Sequence, residues 1–120
     1  MYRHLERRIT VTVREFLRGN SFLNLPATAY DELPIVVEKP PRPEMGDYAL
    51  PLAFALIKLA KKHGTYLSHP RKHPNEISRD VAEGLRGVGI EGIAAIETAG
   101  VGYINFRIDR GWLAAAPKRS

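Results

Sequence analysis

The chain has 120 residues, one ordinary domain's worth, and 44% of them are hydrophobic, enough to bury a core. No cysteine is present, which excludes disulfides and thiolate zinc sites and suits an intracellular protein. No run of about 18 apolar residues crosses a membrane, and residues 1–20, with five arginines and no apolar stretch, make no secretory signal.

The formal net charge of +5 is distributed in blocks. Residues 1–20, 48–75 and 107–120 are basic; 31–47 and 76–106 are acidic. The basic blocks suit an anionic partner such as nucleic acid, or else a densely charged surface of the thermophile kind.

Residues 3–18 have the pattern of an amphipathic helix. Leu5, Ile9, Val13 and Phe16 fall on one face, and Gly19-Asn20 is a natural stop. Arg3, Arg7, Arg14 and Arg18 gather within about 60° on the opposite side, at 100° per residue. That stripe is either a solvated helix face or a row of phosphate contacts. The β-branched run Ile9 to Val13 opposes a helix.

Residues 20–33 carry little pattern. Pro34 to Glu38 has the composition of a short strand, and the three prolines within 39–43 exclude a helix there. Gly46 permits a positive φ, and Asp47 is placed to cap a helix starting at Tyr48 with Pro51 in its first turn. Residues 49–62 are apolar nearly all round at first, as in a central buried helix. Lys58, Lys61 and Lys62 lie toward its C-terminal end, where the helix dipole favours cations.

Residues 63–73 form a basic loop containing Arg71 and Lys72, together with His63, His69 and His73. These histidines lack tight spacing and a companion cysteine or carboxylate, so a solvated or phosphate-facing loop is expected rather than a metal site. Pro74 opens a further helix with Glu76 in its first turn; Ile77, Val81, Leu85 and Val88 form its core stripe, and Gly87 and Gly89 end it.

Ile93–Thr98 and Gly102–Asp109 are expected as two strands of a hairpin with glycines in its turn. Residues 110–116 start another helix, and 111–120 are expected as a truncated tail or the start of a linker. The order of elements predicts an α+β domain, a small antiparallel sheet with helices packed on one face and the other face free. No P-loop and no paired carboxylates on an apolar helix face are present, so the chain carries no catalytic residues that can be named.

In the second strand, Ile104, Phe106 and Ile108 alternate with Tyr103, Asn105 and Arg107. If the first set faces the helices, the second faces water or a partner. Tyr103 can stack on an unpaired base, Asn105 offers a donor and an acceptor in one plane, and Arg107 suits a phosphate. An ordinary half-exposed strand has the same composition.

Three segments then resemble the N-terminal domain of arginyl-tRNA synthetases. P-R-P-E-M-G-D-Y-A (41–49) resembles its P-x-x-x-x-G-D-[YF]-[AS] segment. P-N-E-I-S-R-D-V-A-E-G-L (74–85) resembles its P-x-x-I-A-x-x-I-A-x-x-L stretch, and G-V-G-Y-I-N-F-R-I (100–108) its G-[PF]-G-[FY]-[IL]-N-[FI] signature.

The resemblance implies a cytoplasmic α+β module appended to a catalytic domain and recognising the D-loop at the outer corner of tRNA(Arg). Tyr103 and Asn105 occupy the positions that contact a protruding base. Arg107, Arg3, Arg7, Arg14, Arg18, Lys61, Lys62, Arg71 and Lys72 are candidate phosphate contacts on charge alone. No H-I-G-H or K-M-S-K signature occurs, so ATP, arginine and the ligase reaction are expected in a catalytic domain absent from this chain, which itself would hold no cofactor or metal. The alternatives are a protein-docking domain that adds a strand at the hairpin edge, or a general RNA-binding domain.

Overall fold

The computed structural model describes residues 3–66 and 73–115. Helix α1 (Arg3–Gly19) leads through short 3-10 turns at Phe22–Asn24, Ala27–Glu32 and Pro43–Met45 to strand β1 (Tyr48–Leu50). Helices α2 (Leu52–Lys62) and α3 (Pro74–Val88), strands β2 (Ile93–Ala99) and β3 (Tyr103–Ile108), and helix α4 (Arg110–Ala115) follow. The sheet is antiparallel in the order β1-β3-β2, so β3 is central. Its register sets Ala49 and Glu97 on either side of Asn105, and Tyr48 and Ile96 on either side of Phe106. The expected α+β architecture is the one observed.

α1 forms because Leu5, Ile9, Val13 and Leu17 recur every four residues and are all buried. Burial of this stripe outweighs the few tenths of a kcal/mol that each β-branched residue between Ile9 and Val13 costs in helix propensity. Leu17 is the fourth core residue. Phe16, expected in that role, is only partly buried, and its ring lies over Gly84 of α3. A Cβ at Gly84 would sit 2.1 Å from that ring, so the glycine sets how closely α1 and α3 approach.

α3 opens with a capping box. The His73 imidazole accepts from the Asn75 N–H at 3.1 Å, and the Glu76 carboxylate accepts from the His73 N–H at 3.3 Å. Ile77, Ser78, Val81, Ala82 and Leu85 are buried along it. Val88, expected in the stripe, is 60% exposed because the helix is leaving the core as it ends. Gly87 is still helical; Gly89, at φ +79°, makes the exit.

Two further expectations are corrected. Pro34 to Glu38 is not a regular strand; only Glu38 pairs, exchanging two hydrogen bonds with Ala49 at 2.8 and 2.7 Å. Pro40 and Pro41 follow at once and have no N–H to extend the ladder. Asp47 does not cap a helix, because Tyr48–Leu50 is strand β1 and α2 begins only after Pro51.

Ile104, Phe106 and Ile108 are buried in the same core as α1, α2 and α3. The opposite face of β3 is not free: the proline-rich segment 38–45 lies over part of it.

Candidate nucleic-acid interface

The site is built where that segment crosses β3. Gly46, at φ +122°, lies so close to β3 that a Cβ would stand 3.1 Å from the Phe106 carbonyl oxygen. The Asp47 N–H donates to that same oxygen at 2.8 Å. The Asp47 carboxylate accepts from the Ile108 N–H at 2.8 Å and pairs with Arg110 at 2.5 Å. Gly46 and Asp47 thus pin the 38–45 segment to the strand that carries Tyr103, Asn105 and Arg107. This is why residues so far apart in sequence share one site.

Between the segment and the strand lies an open pocket of about 300 Å³. Lys39, Pro40 and Met45 line one side, and Val101, Tyr103 and Asn105 the other. Tyr103 is 36% exposed. Asn105, expected to face outward, is only 4% exposed, covered because Met45 accepts a hydrogen bond from its Nδ2 at 2.6 Å. That bond consumes one donor and fixes the amide. Its Oδ1 is buried and has no hydrogen-bond partner among the described residues. An unpartnered buried acceptor costs on the order of 1–3 kcal/mol, so it marks a place where a donor belongs.

Arg107 is engaged within the fold. Its Nε donates to Glu97 at 3.3 Å across the β2–β3 pair, and Nη2 donates to the Glu44 carbonyl. The guanidinium therefore props up the far end of the 38–45 segment while its edge stays half-exposed.

The four arginines of the α1 stripe divide into two pairs. Arg14 donates to the Tyr30 carbonyl and to the Leu33 carbonyl at 3.0 Å, and Arg18 pairs with Asp31. Both tie α1 to the 22–33 segment. Expected as phosphate contacts, these two are engaged within the fold, Arg14 by backbone carbonyls and Arg18 by a carboxylate. Tyr30 completes this junction. Its hydroxyl donates to the Phe22 carbonyl at 2.7 Å, and burial raises its pKa. Arg3 and Arg7 instead flank an open groove with Glu6, Thr10, Val36 and Val37, and form no ion pair among the described residues.

Lys62 and His63 both reach Glu32, at 2.7 and 3.2 Å, and the hydrogen bond from Lys62 holds the Glu32 carboxyl below the usual carboxylate range. Lys61 lies 5.6 Å from the Tyr66 ring centroid. Arg71, Lys72 and His69 lie outside the described residues. Among the described residues no group of three His, Cys, Asp or Glu side chains is placed to hold a metal.

Both outer sheet edges are partly occupied. Glu38 pairs with β1 at Ala49, and Arg86 Nε donates to the Ile96 carbonyl of β2 at 2.7 Å. A docking partner that adds a strand would have to displace one of them.

Sequence reasoning did not foresee the roof of the pocket. The prolines after Glu38 registered only as helix breakers, and nothing local shows that they fold over a strand some sixty residues on. Their proximity to G-D-Y was the one available clue.

The family model that matches this chain describes the arginyl tRNA synthetase N terminal domain, over residues 4–108. A curated relative, the arginine–tRNA ligase of Thermococcus sibiricus, is 37% identical over 75 residues, which cover 62% of this chain and 10% of the relative. The chain therefore matches about a tenth of that relative's length.

Proposed function

The chain belongs to the arginyl-tRNA synthetase N-terminal domain family, and from that premise we propose that it binds tRNA(Arg) at the D-loop. An unstacked base enters the pocket beneath the 38–45 segment, stacks on Tyr103 and donates to Asn105. The arginylation reaction, with ATP and arginine, is assigned to a catalytic domain outside these 120 residues, which they support in cis.

The observation that carries this reading is an apolar pocket lined by the half-exposed ring of Tyr103 and by Asn105, whose buried Oδ1 has no hydrogen-bond partner among the described residues. Nucleobases present a flat apolar face and a polar edge, and the pocket offers the complement of each. Nδ2 has given one of its two N–H groups to Met45, whereas Oδ1 has no partner among the described residues, so the larger unused capacity of this amide is to accept. It therefore suits an exocyclic amino group better than a carbonyl. Arg3 and Arg7, with no ion pair among the described residues, are the α1 residues most open to phosphates, ahead of Arg14 and Arg18, which are engaged within the fold.

The test is a filter-binding titration of the 120-residue chain with a tRNA(Arg) transcript across salt concentrations. The reading requires retention at low salt, a steep loss as salt rises, and weakened binding by Tyr103→Ala. Absence of retention even at low salt would favour a protein partner, and equal competition by random duplex RNA a general RNA-binding role.

A further inference from the structure

Resting on that reading, we propose that the exposed face of α2 extends the RNA surface, with Phe54 stacking a base adjacent to the one in the pocket and Lys58 and Lys61 holding phosphates. Phe54 is 51% exposed, although it stands in the first turn of the most apolar helix of the fold. Its ring lies against the hairpin turn that carries Tyr103: a Cβ at Gly102 would sit 2.7 Å from it. Gly102, at φ +80°, is further held by Asn75, whose side-chain oxygen accepts its N–H at 3.1 Å. The position of Phe54 against the turn that leads into Tyr103 is therefore fixed. Val101, the exposed neighbour of Gly102, lines the pocket together with Tyr103.

Along α2, Lys58 and Lys61 follow Phe54 at four and seven residues, within an arc of about 60° and about 6 and 10 Å along the axis. Both are exposed. No acid occurs on α2 or anywhere in residues 48–75. The acid Glu32 at its C-terminal end is taken by Lys62 and His63. Lys58 forms no ion pair among the described residues, and Lys61 meets only the Tyr66 ring. A ring packed on the turn that leads into the pocket strand, followed by cations with no ion pair among the described residues, is complementary to a looped polynucleotide: base first, phosphates after. An acidic or apolar protein surface would use either half of this stripe and not both.

The test uses the same tRNA(Arg) transcript and chain. Phe54→Leu keeps an apolar side chain on Gly102 and removes the ring; it is expected to weaken binding about fivefold or more, while Phe54→Tyr binds as the parent does. Lys58→Ala/Lys61→Ala is expected to lower the salt dependence of log K by about one to two. Thermal melts of these variants should match the parent. Parent-like binding by Phe54→Leu, or an unchanged salt slope in the double variant, overturns the inference. Tyr103→Ala run in parallel separates the two readings. Loss with Tyr103→Ala alone keeps the pocket and removes α2, loss with the α2 variants alone removes the pocket and keeps α2, and no loss with any removes both.

Discussion

The side chain of Asn105 and the carbonyl of Met45, sixty residues apart, are joined by a 2.6 Å hydrogen bond that closes the proline-rich segment over the central strand. The bond divides the amide into a structural half and a binding half. Nδ2 holds the roof, and Oδ1 is left buried without a hydrogen-bond partner among the described residues.

Asn105→Asp removes the donor and sets a carboxylate against the Met45 carbonyl. It should cost about 1–3 kcal/mol of stability, as burial of an unmatched polar group does. Asn105→Ala leaves only the Met45 carbonyl unmatched and should cost less. Urea unfolding of the three proteins checks the order; equal midpoints for the parent and Asn105→Asp would show that the bond does not hold the roof.

Tyr103 is half exposed and stands outside the buried core. Tyr103→Ala should leave the unfolding midpoint nearly unchanged while weakening tRNA(Arg) binding by about 1–3 kcal/mol, the worth of one base–aromatic stack. Tyr103→Phe should bind like the parent. A loss of stability equal to the loss of binding would mean that the ring's role is structural.

The contact between Phe16 and Gly84 is tight enough to predict a defect with one methyl group. Gly84→Ala places Cβ 2.1 Å from the ring and should destabilise by about 1–3 kcal/mol through overpacking of α1 on α3. Combining it with Phe16→Leu should recover part of that loss, a non-additivity that a double-mutant cycle measures directly.

Glu32 supplies a pH dependence of known sign. The hydrogen bond from Lys62 lowers its pKa on folding, so its contribution is present above the unfolded-state carboxylate pKa and is lost as pH falls through the lower folded value. The site is exposed, so the effect is small. Stability measured down this acid range should fall slightly less steeply in Glu32→Gln than in the parent; identical slopes would remove Glu32 from the account.

Most elements were legible along the chain, because each is written in local periodicity. The four-residue recurrence from Leu5, the Pro74 start of α3 and the alternation from Tyr103 to Ile108 all name their elements without reference to the rest of the fold. The start of α2 was misplaced by the same local logic. A Gly-Asp followed by apolar residues has the form of a capped helix. Pairing of Tyr48–Leu50 with Phe106 to Ile104 overrides it, since a strand partner supplies hydrogen bonds that a first helical turn lacks.

The sequence by itself determined the α+β class, the alternation that puts Tyr103 and Asn105 on one side of β3, and the family, since three ordered motifs suffice for that. Only the tertiary structure decided which polar groups are spoken for. Arg14 and Arg18 looked identical to Arg3 and Arg7 on a helical projection, yet chain from residues 22–33 takes the first pair and leaves the second. Asn105 looked as exposed as Tyr103 until residues 38–45 folded over it. Periodicity records which way a side chain points; what meets it there depends on residues distant in sequence, brought in by the need to pair their own buried backbone groups.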